Sequence, residues 1–125
     1  MTQTAQESLH LALLHLDRVQ SAWWDPTDWA NLSTYGFYCL EACVVAAALH
    51  LKQPRPGSHP AKARMAESLS QEHNLPDIGE LLVDLNTMRK HQAYGDTQAP
   101  EGMDAENTAR LIEEYVTSVQ ALFAI

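Results

Sequence analysis

The sequence predicts an all-α protein, an antiparallel bundle of four to five helices, and three observations carry this prediction. Apolar residues recur every three or four positions through long segments, no useful stretch alternates between apolar and polar residues, and capping or helix-breaking residues separate the segments. The chain has 125 residues, of which 46% are hydrophobic, and this is enough to build one core without disulfides or metal. We therefore expect a single domain over residues 1–125.

The first predicted helix runs from about Thr4 to Trp23. Leu11 and Leu14 add a second apolar face to its main stripe. A helix that is apolar on two sides typically packs against neighbouring helices on both sides or lies in a subunit interface. The main stripe consists of Leu9, Leu13, Leu16, Val19 and Trp23.

The second helix is predicted to begin at Asp25-Pro26-Thr27-Asp28 and to continue to about Leu51. Asp25 suits the N-cap, Pro26 the first helical position, and Asp28 the positive end of the helix dipole. This helix is long and rich in apolar residues, so we expect it at the centre of the bundle. Gly36 within it indicates a close crossing with another helix.

The segment Gln53–Pro60 contains three prolines and a glycine, which predicts a loop. A third helix follows from about Ala61 to His73, and Asn74 is the predicted cap of a fourth helix that ends near Ala93. Its buried face is predicted from the spacing of Ile78, Leu81, Leu82, Leu85 and Met88.

The segment Gly95–Gly102 is predicted to be a surface loop, and Asp104 to cap the last helix. The apolar stripe of this helix is Ala109, Ile112, Tyr115 or Val116, Val119 and Leu122. We find no internal repeat and no low-complexity tract.

The formal net charge of −8 argues against non-specific binding of DNA or RNA, because such binding depends on neutralising phosphates with Lys and Arg. The same acidic balance suits a basic partner protein. Any RNA contact would therefore be a local pocket on a repelling surface.

The two cysteines, Cys39 and Cys43, lie one helical turn apart in an apolar segment. This spacing is poor disulfide geometry, so we expect small core or interface residues in a reducing compartment, the cytoplasm. The N-terminus lacks a basic, continuously apolar leader, and no stretch reaches the roughly 18 apolar residues of a membrane span. We expect neither secretion nor membrane insertion.

Metal binding has weak support in the sequence. Glu7, His10 and Asp17 have spacings that suit one edge of a metal site, but matching ligands on a second helix are missing. We therefore expect no metal and no cofactor. His50, His59 and His73 lie near predicted helix ends or in loops, where capping or solvation explains them.

The end of the fourth helix has the largest group of side chains that could bind a ligand or act in catalysis. Asn86, Arg89 and Ala93 form one row, and Arg89 borders the buried stripe. Glu41 lies within the apolar side of the second helix and needs a counter-charge, for which Arg89 is the first candidate. The pair would either fix how the helices register or form a functional pocket.

Three further groups lie close to Arg89 in sequence. His91 projects about 200° away from Arg89 around a regular helix, which is typical of a solvated histidine. Tyr94 and Asp96 fall at the helix end, beside the candidate C-cap Gly95, where the chain could turn them back. The candidate catalytic residues are Arg89, His91 and Tyr94. The candidate binding pocket comprises Glu41, Asn86, Arg89, Tyr94 and Asp96.

Three tryptophans flank the first helix–helix corner: Trp23, Trp24 and Trp29. Such a cluster packs as a lid on the bundle or forms the centre of a dimer patch, and it is also suited to stacking on bases.

The order of elements from about Ser8 to Leu122 resembles a HEPN domain, a small helical domain associated with nucleotides and RNA. The resemblance rests on the second helix and on the polar end of the fourth. The matching residues are Tyr38, Glu41, the segment Ala46–Leu51, Leu82, Leu85, Asn86, Arg89, Tyr94, Gly95 and Asp96.

The resemblance implies an antiparallel homodimer in which the polar ends of the fourth helices meet in a shared cleft. Many members of the family are metal-independent ribonucleases, often toxins paired with a nucleotidyltransferase antitoxin. Their motif is an arginine followed, after four to six residues, by a histidine. Arg89 matches the arginine, but Tyr94, Gly95 and Asp96 stand where the histidine would be, and His91 is too close to it.

Three functions remain open from the sequence. The first is a homodimeric HEPN-like module that binds a nucleotide, RNA or a partner protein such as a nucleotidyltransferase. The second is a metal-independent ribonuclease that uses Arg89 at the dimer cleft, with His91 or Tyr94 moving the proton. The third is a helical protein–protein interaction factor without catalytic activity.

Overall fold

A computed structural model describes residues 3–24, 26–93 and 102–124 of the chain. The described residues form five α-helices and no β-strand, which confirms the all-α helical bundle. The helices are α1 (Ala5–Ala22), α2 (Trp29–His50), α3 (His59–His73), α4 (Gly79–Ala93) and α5 (Ala105–Phe123).

The second helix is the centre of the bundle, as predicted, and all four other helices contact it. From Cys39 to Ala48 every side chain is buried. By length and composition α2 would also suffice to cross a membrane, contrary to the expectation that no segment does so, but 72% of its apolar window is buried inside the bundle. This is the pattern of the core helix of a globular protein.

Small residues of α1 let it approach α2 closely. Ser8, Ala12, Val19 and Ala22 are buried, whereas the leucines of the predicted stripe flank this row and are only partly buried. Cys39 of α2 donates a hydrogen bond from its Sγ to the Ala12 carbonyl oxygen over 3.3 Å. The main contact face of α1 is therefore its row of small residues, because they allow the two backbones to come together.

Both cysteines are free and buried, as predicted. The Cys43 thiol is hydrogen-bonded to Cys39, and this bond, together with burial, raises the pKa of Cys43. Tyr115 of α5 lies near Cys43, and burial is the main reason that its pKa is raised. These residues belong to the core and not to a reactive surface.

The predicted start of α2 was three residues too early. Asp28 is the N-cap, and its carboxylate accepts hydrogen bonds from the backbone N–H and the side-chain amide of Asn31. The preceding residues close α1 instead: the Asp28 N–H donates to the Ala22 carbonyl, and the Thr27 hydroxyl donates to the Trp23 carbonyl. Asp25, the predicted cap, lies outside the described residues.

The third helix begins at His59, two residues before its predicted start, so the end of the predicted loop is helical. Ser58 is the N-cap and accepts a hydrogen bond from the Ala61 N–H. Pro60 fits the first turn because no intrahelical N–H is needed there.

Asn74 was predicted to cap α4, but it ends α3. Its φ of 58° places it in the left-handed region, which asparagine tolerates better than most residues, and its N–H donates to the Leu69 carbonyl. The fourth helix begins at Gly79, whose N–H donates to the Asp77 carboxylate.

The last two helices bury the predicted faces. Asp104 caps α5, as predicted, and accepts hydrogen bonds from the N–H groups of Glu106 and Asn107. Leu81 and Leu122 of the predicted faces are only partly buried. The buried core residues are Ile78, which directly precedes α4, and on the two helices Leu82, Leu85, Met88, Ala109, Ile112, Tyr115, Val116 and Val119. The predicted loop Gly95–Gly102 lies outside the described residues except for Gly102.

Gly36 marks a close helix crossing, as predicted. A Cβ atom at this position would lie 2.8 Å from the Cδ1 atom of Ile112 and 3.5 Å from Leu85. The glycine therefore lets α2 meet α4 and α5 without a gap.

We predict that Gly36→Val lowers the free energy of unfolding by about 2 kcal/mol or more, because a branched side chain would displace buried Ile112 and Leu85. The matched control is Gly57→Val, where an added Cβ meets nothing within 4 Å, and we expect almost no change there. Urea unfolding followed by tryptophan fluorescence measures both. Equal stabilities of the two variants would contradict the crossing.

Candidate functional site

A cluster of rings and charges lies around Phe37 and Tyr38 on α2, and we call it the aromatic–basic cluster. It includes both rings, Arg89 of α4, His15 of α1 and His59 of α3. Phe37 is buried, whereas Tyr38 is 36% exposed, so the cluster reaches from the core to the surface.

Arg89 lies against both rings of this cluster. Its guanidinium carbon is 5.1 Å from the centre of the Phe37 ring and 5.7 Å from that of Tyr38, within the range of cation–π attraction. One terminal nitrogen donates to the Asn86 Oδ1 over 2.7 Å, within the row predicted on α4. Among the described residues, the buried Nε has no hydrogen-bond partner and the guanidinium no ion pair.

The predicted pairing of Glu41 with Arg89 was wrong. The Glu41 Oε2 lies 2.6 Å from the Nδ1 of His59, and the Oε1 lies 3.7 Å from the Nζ of Lys62. The cap at Ser58 starts α3 so that His59 and Lys62, three residues apart, both reach Glu41. Among the described residues, the groups that contact the Arg89 guanidinium include the aromatic rings of α2 and the Asn86 side chain, and no carboxylate forms an ion pair with it.

Sequence reasoning missed His59 because it placed this residue in the Pro-rich loop. The signal was present as Ser58-His59-Pro60: a serine cap followed by a proline in the first helical turn. His59 also lies against the Phe37 ring, with 5.3 Å between ring centres. Arg89 and His59 thus share one aromatic neighbour although they come from different helices.

His15 was not among the predicted site residues, yet it lies between two tyrosines of α2. Its ring centre is 5.8 Å from that of Tyr35 and 5.9 Å from that of Tyr38. Partial burial, and secondarily the charge of Arg18, lower the pKa of His15 below its usual value of 6.5. The neutral imidazole is therefore favoured, and it can both donate and accept a hydrogen bond.

A cavity of about 220 Å³ adjoins the cluster between α1 and α2, and we call it the Glu41 pocket. Charged or polar groups form much of its wall, and Leu11, Ala42 and Val45 supply apolar surface. The polar lining consists of Gln3, Ser8, His15, Tyr38, Glu41, Arg55 and Lys62.

The remaining predicted site residues are not brought together in the described structure. His91 is exposed on a helix that continues to Ala93, so regular helical geometry keeps it about 200° around the axis from Arg89. Tyr94 and Asp96 lie outside the described residues.

The tryptophan cluster is divided between packing and exposure. Trp23 and Trp29 pack against the core, whereas Trp24 is 61% exposed and stacks on Trp23, with 4.3 Å between ring centres. Trp24 therefore remains a candidate for a contact with a partner.

Comparison with models of known protein families, with curated proteins and with solved structures finds no match to this chain.

We predict that His15→Asn weakens the loss of stability on acidification. Because burial lowers the pKa of His15 in the folded state, the unfolded chain takes up more protons as the pH falls through about 6.5, and folding is disfavoured. The wild-type free energy of unfolding should thus fall more steeply than that of the variant between about pH 7.5 and pH 5.

Urea unfolding at several pH values measures this difference, and His10→Asn, at an exposed position of the same helix, controls for removing a histidine from α1. Parallel pH profiles for the wild type and His15→Asn would show that the environment of His15 is not as described.

Proposed function

We propose that this chain is a homodimeric, HEPN-like module of the cytoplasm that binds a nucleotide or RNA, with Arg89 contacting a phosphate. One observation carries the proposal: the guanidinium of Arg89 lies over Phe37 and Tyr38, is held by Asn86, and forms no ion pair among the described residues. Since no described carboxylate neutralises this charge, we infer that it serves to bind an anion.

The chemistry of Arg89 suits a phosphate. A guanidinium offers two parallel N–H donors that match two phosphate oxygens, and stacking on rings fixes its plane in advance. Because the side chain is only partly exposed, a phosphate bound there would be shielded from water and held more strongly. The exposed ring of Tyr38 beside it offers a base a stacking surface.

The net charge of −8 supports a local site over a broad nucleic-acid surface. A ligand would be drawn to the few cations around α2 while the rest of the surface repels it. We expect single-stranded RNA or mononucleotides to be preferred over duplex DNA, because one guanidinium and one ring can engage one nucleotide only.

The resemblance to HEPN domains is the reason to propose a homodimer and a nucleotidyltransferase-like partner of a toxin–antitoxin type pair. Exposed apolar side chains are suited to such contacts, namely Leu14, Trp24 and Val83.

We predict that Arg89→Ala weakens binding of a short single-stranded RNA by about 10- to 100-fold, the range for losing a charged hydrogen-bonding group. Arg89→Lys should retain part of the affinity, since it keeps the charge but not the two parallel donors. Fluorescence anisotropy with labelled RNA measures the affinities, and circular dichroism confirms folding.

The matched control for this test is Arg110→Ala on α5, which removes an exposed arginine that is paired with Glu114. This variant should bind like the wild type. A uniform loss in both variants would show that only net charge matters, and unchanged binding by Arg89→Ala would refute the proposed site.

A second candidate function, a metal-independent ribonuclease, is favoured by the geometry of His59. A buried carboxylate holds its Nδ1, so its Nε2 is left to accept a proton, and its side chain is 54% exposed. A histidine held in this way is suited to general-base chemistry, and it shares the Phe37 ring with Arg89. It would take the place of the histidine missing from the motif.

This second candidate predicts RNA cleavage in EDTA that falls at least about 100-fold in both His59→Ala and Arg89→Ala and is nearly unchanged in His91→Ala. Gel analysis of a labelled RNA measures the rates. Loss of cleavage in His91→Ala alone would assign the chemistry to α4 instead. If the protein binds RNA without cleaving it, the binding module is favoured. If the protein neither binds nor cleaves RNA, a protein–protein interaction factor is favoured.

A further inference from the structure

The Glu41 pocket has a polar side formed by a carboxylate that is 7% exposed. An ionised carboxylate is only an acceptor, with about four lone-pair positions on its two oxygens. His59 takes one position on Oε2, and Lys62 lies 3.7 Å from Oε1, so each oxygen keeps capacity for another donor. A ligand that fits this side must present N–H or O–H groups.

Rings line another part of the same pocket. Tyr38 and His15 both contribute to its wall and lie 5.9 Å apart, centre to centre. Leu11, Ala42 and Val45 add apolar surface. The two rings are tilted by 49° to each other, and aromatic surface of this kind favours a planar, aromatic ligand, which gains stacking energy.

Two cations complete the lining. Arg55 and Lys62 both belong to it, and the Arg55 side chain is exposed, with one terminal nitrogen 3.5 Å from the Gln3 carbonyl oxygen. Among the described residues of the lining Glu41 is the only carboxylate, so a bound ligand that carries an anionic group would meet favourable charge from the two cations. A volume of about 220 Å³ is suited to a single planar base.

We propose that the Glu41 pocket is a base-recognition subsite for guanine, an inference that rests on the proposed nucleotide or RNA binding. The N1–H and the 2-amino group of guanine donate to the two oxygens of Glu41. The ring lies against Tyr38 and His15, and the phosphate of this nucleotide meets Arg55 and Lys62, whereas Arg89, outside the pocket lining, contacts the phosphate of a neighbouring nucleotide of an RNA.

The other bases fit this carboxylate less well. Adenine and cytosine each place a ring nitrogen acceptor beside their amino group, and this acceptor would face a carboxylate oxygen. Uracil has one N–H between two carbonyl oxygens. Only guanine among the four bases presents two adjacent donors on its pairing edge, and an acceptor that faces a buried carboxylate is costly.

Calorimetric titration of the wild type with guanosine, inosine and adenosine monophosphates tests the subsite. Inosine lacks only the 2-amino group, so we expect it to bind about 10-fold more weakly than guanosine. Adenosine, which lacks the N1–H and the 2-amino group and places an acceptor beside its 6-amino group, should bind about 100-fold more weakly. This order of affinities can be measured with the wild type alone, and equal affinities for the three nucleotides would overturn the subsite.

Variants then assign the preference to residues. Glu41→Gln, which can offer only one acceptor oxygen, should reduce the preference for guanosine over inosine to about 3-fold or less. Lys62→Ala should weaken the binding of guanosine monophosphate several-fold without changing the preference for guanosine over inosine. Arg64→Ala, an exposed control on the same helix, should change neither the affinity nor the preference. An unchanged preference in folded Glu41→Gln would refute the role of the carboxylate.

The outcomes separate this inference from the proposed function. If the three nucleotides bind equally and RNA affinity still depends on Arg89, the guanine subsite is refuted and the proposed binding function is retained. Failure of all mononucleotides to bind at about 1 mM would also remove the subsite. Loss of the Arg89 dependence for RNA would remove the proposed function itself.

Discussion

The carboxylate of Glu41, buried in the most apolar helix of the protein, is the constraint on which the surrounding structure depends. A buried charge costs several kcal/mol unless it is paired and hydrogen-bonded. Here the compensation comes from His59 and Lys62 in the first turns of α3. Because the Ser58 cap and Pro60 fix where α3 begins, they place His59 and Lys62 beside the Glu41 carboxylate.

The same pairing determines what Arg89 can do. Had Glu41 taken Arg89 as its counter-charge, both groups would have been neutralised across the α2–α4 contact, and the site would have been structural. Because α3 supplies the partners of Glu41, the guanidinium rests on Phe37 and Tyr38 and is oriented by Asn86. Stacking on rings holds a guanidinium without cancelling its charge. That distinction is the physical basis for regarding this surface as a binding site.

The helical bundle and most of its core could be predicted from the sequence, because apolar spacing and caps are local signals. Asp104 and the faces of α4 and α5 are examples. Asn74 shows where local signals are ambiguous: the same residue type caps a helix start or ends a helix in the left-handed conformation, and only the position of the next apolar turn decides. The partner of Glu41 could not be predicted, since charge pairing between helices depends on tertiary geometry.

The placement of charge connects the fold to its proposed chemistry. The chain has 16 acidic and 8 basic residues, so most approaches to its surface are unfavourable for an anion. Four of the basic side chains, Arg18, Arg55, Lys62 and Arg89, nevertheless lie around one stretch of α2, from Tyr35 to Val45. Glu41, the one carboxylate in that stretch, is already compensated by α3. On the proposed function, we expect most of the molecule to repel an anionic ligand and this stretch of α2 to favour it. A planar group attached to the anion would find there the exposed ring of Tyr38 and the acceptor side of the Glu41 pocket.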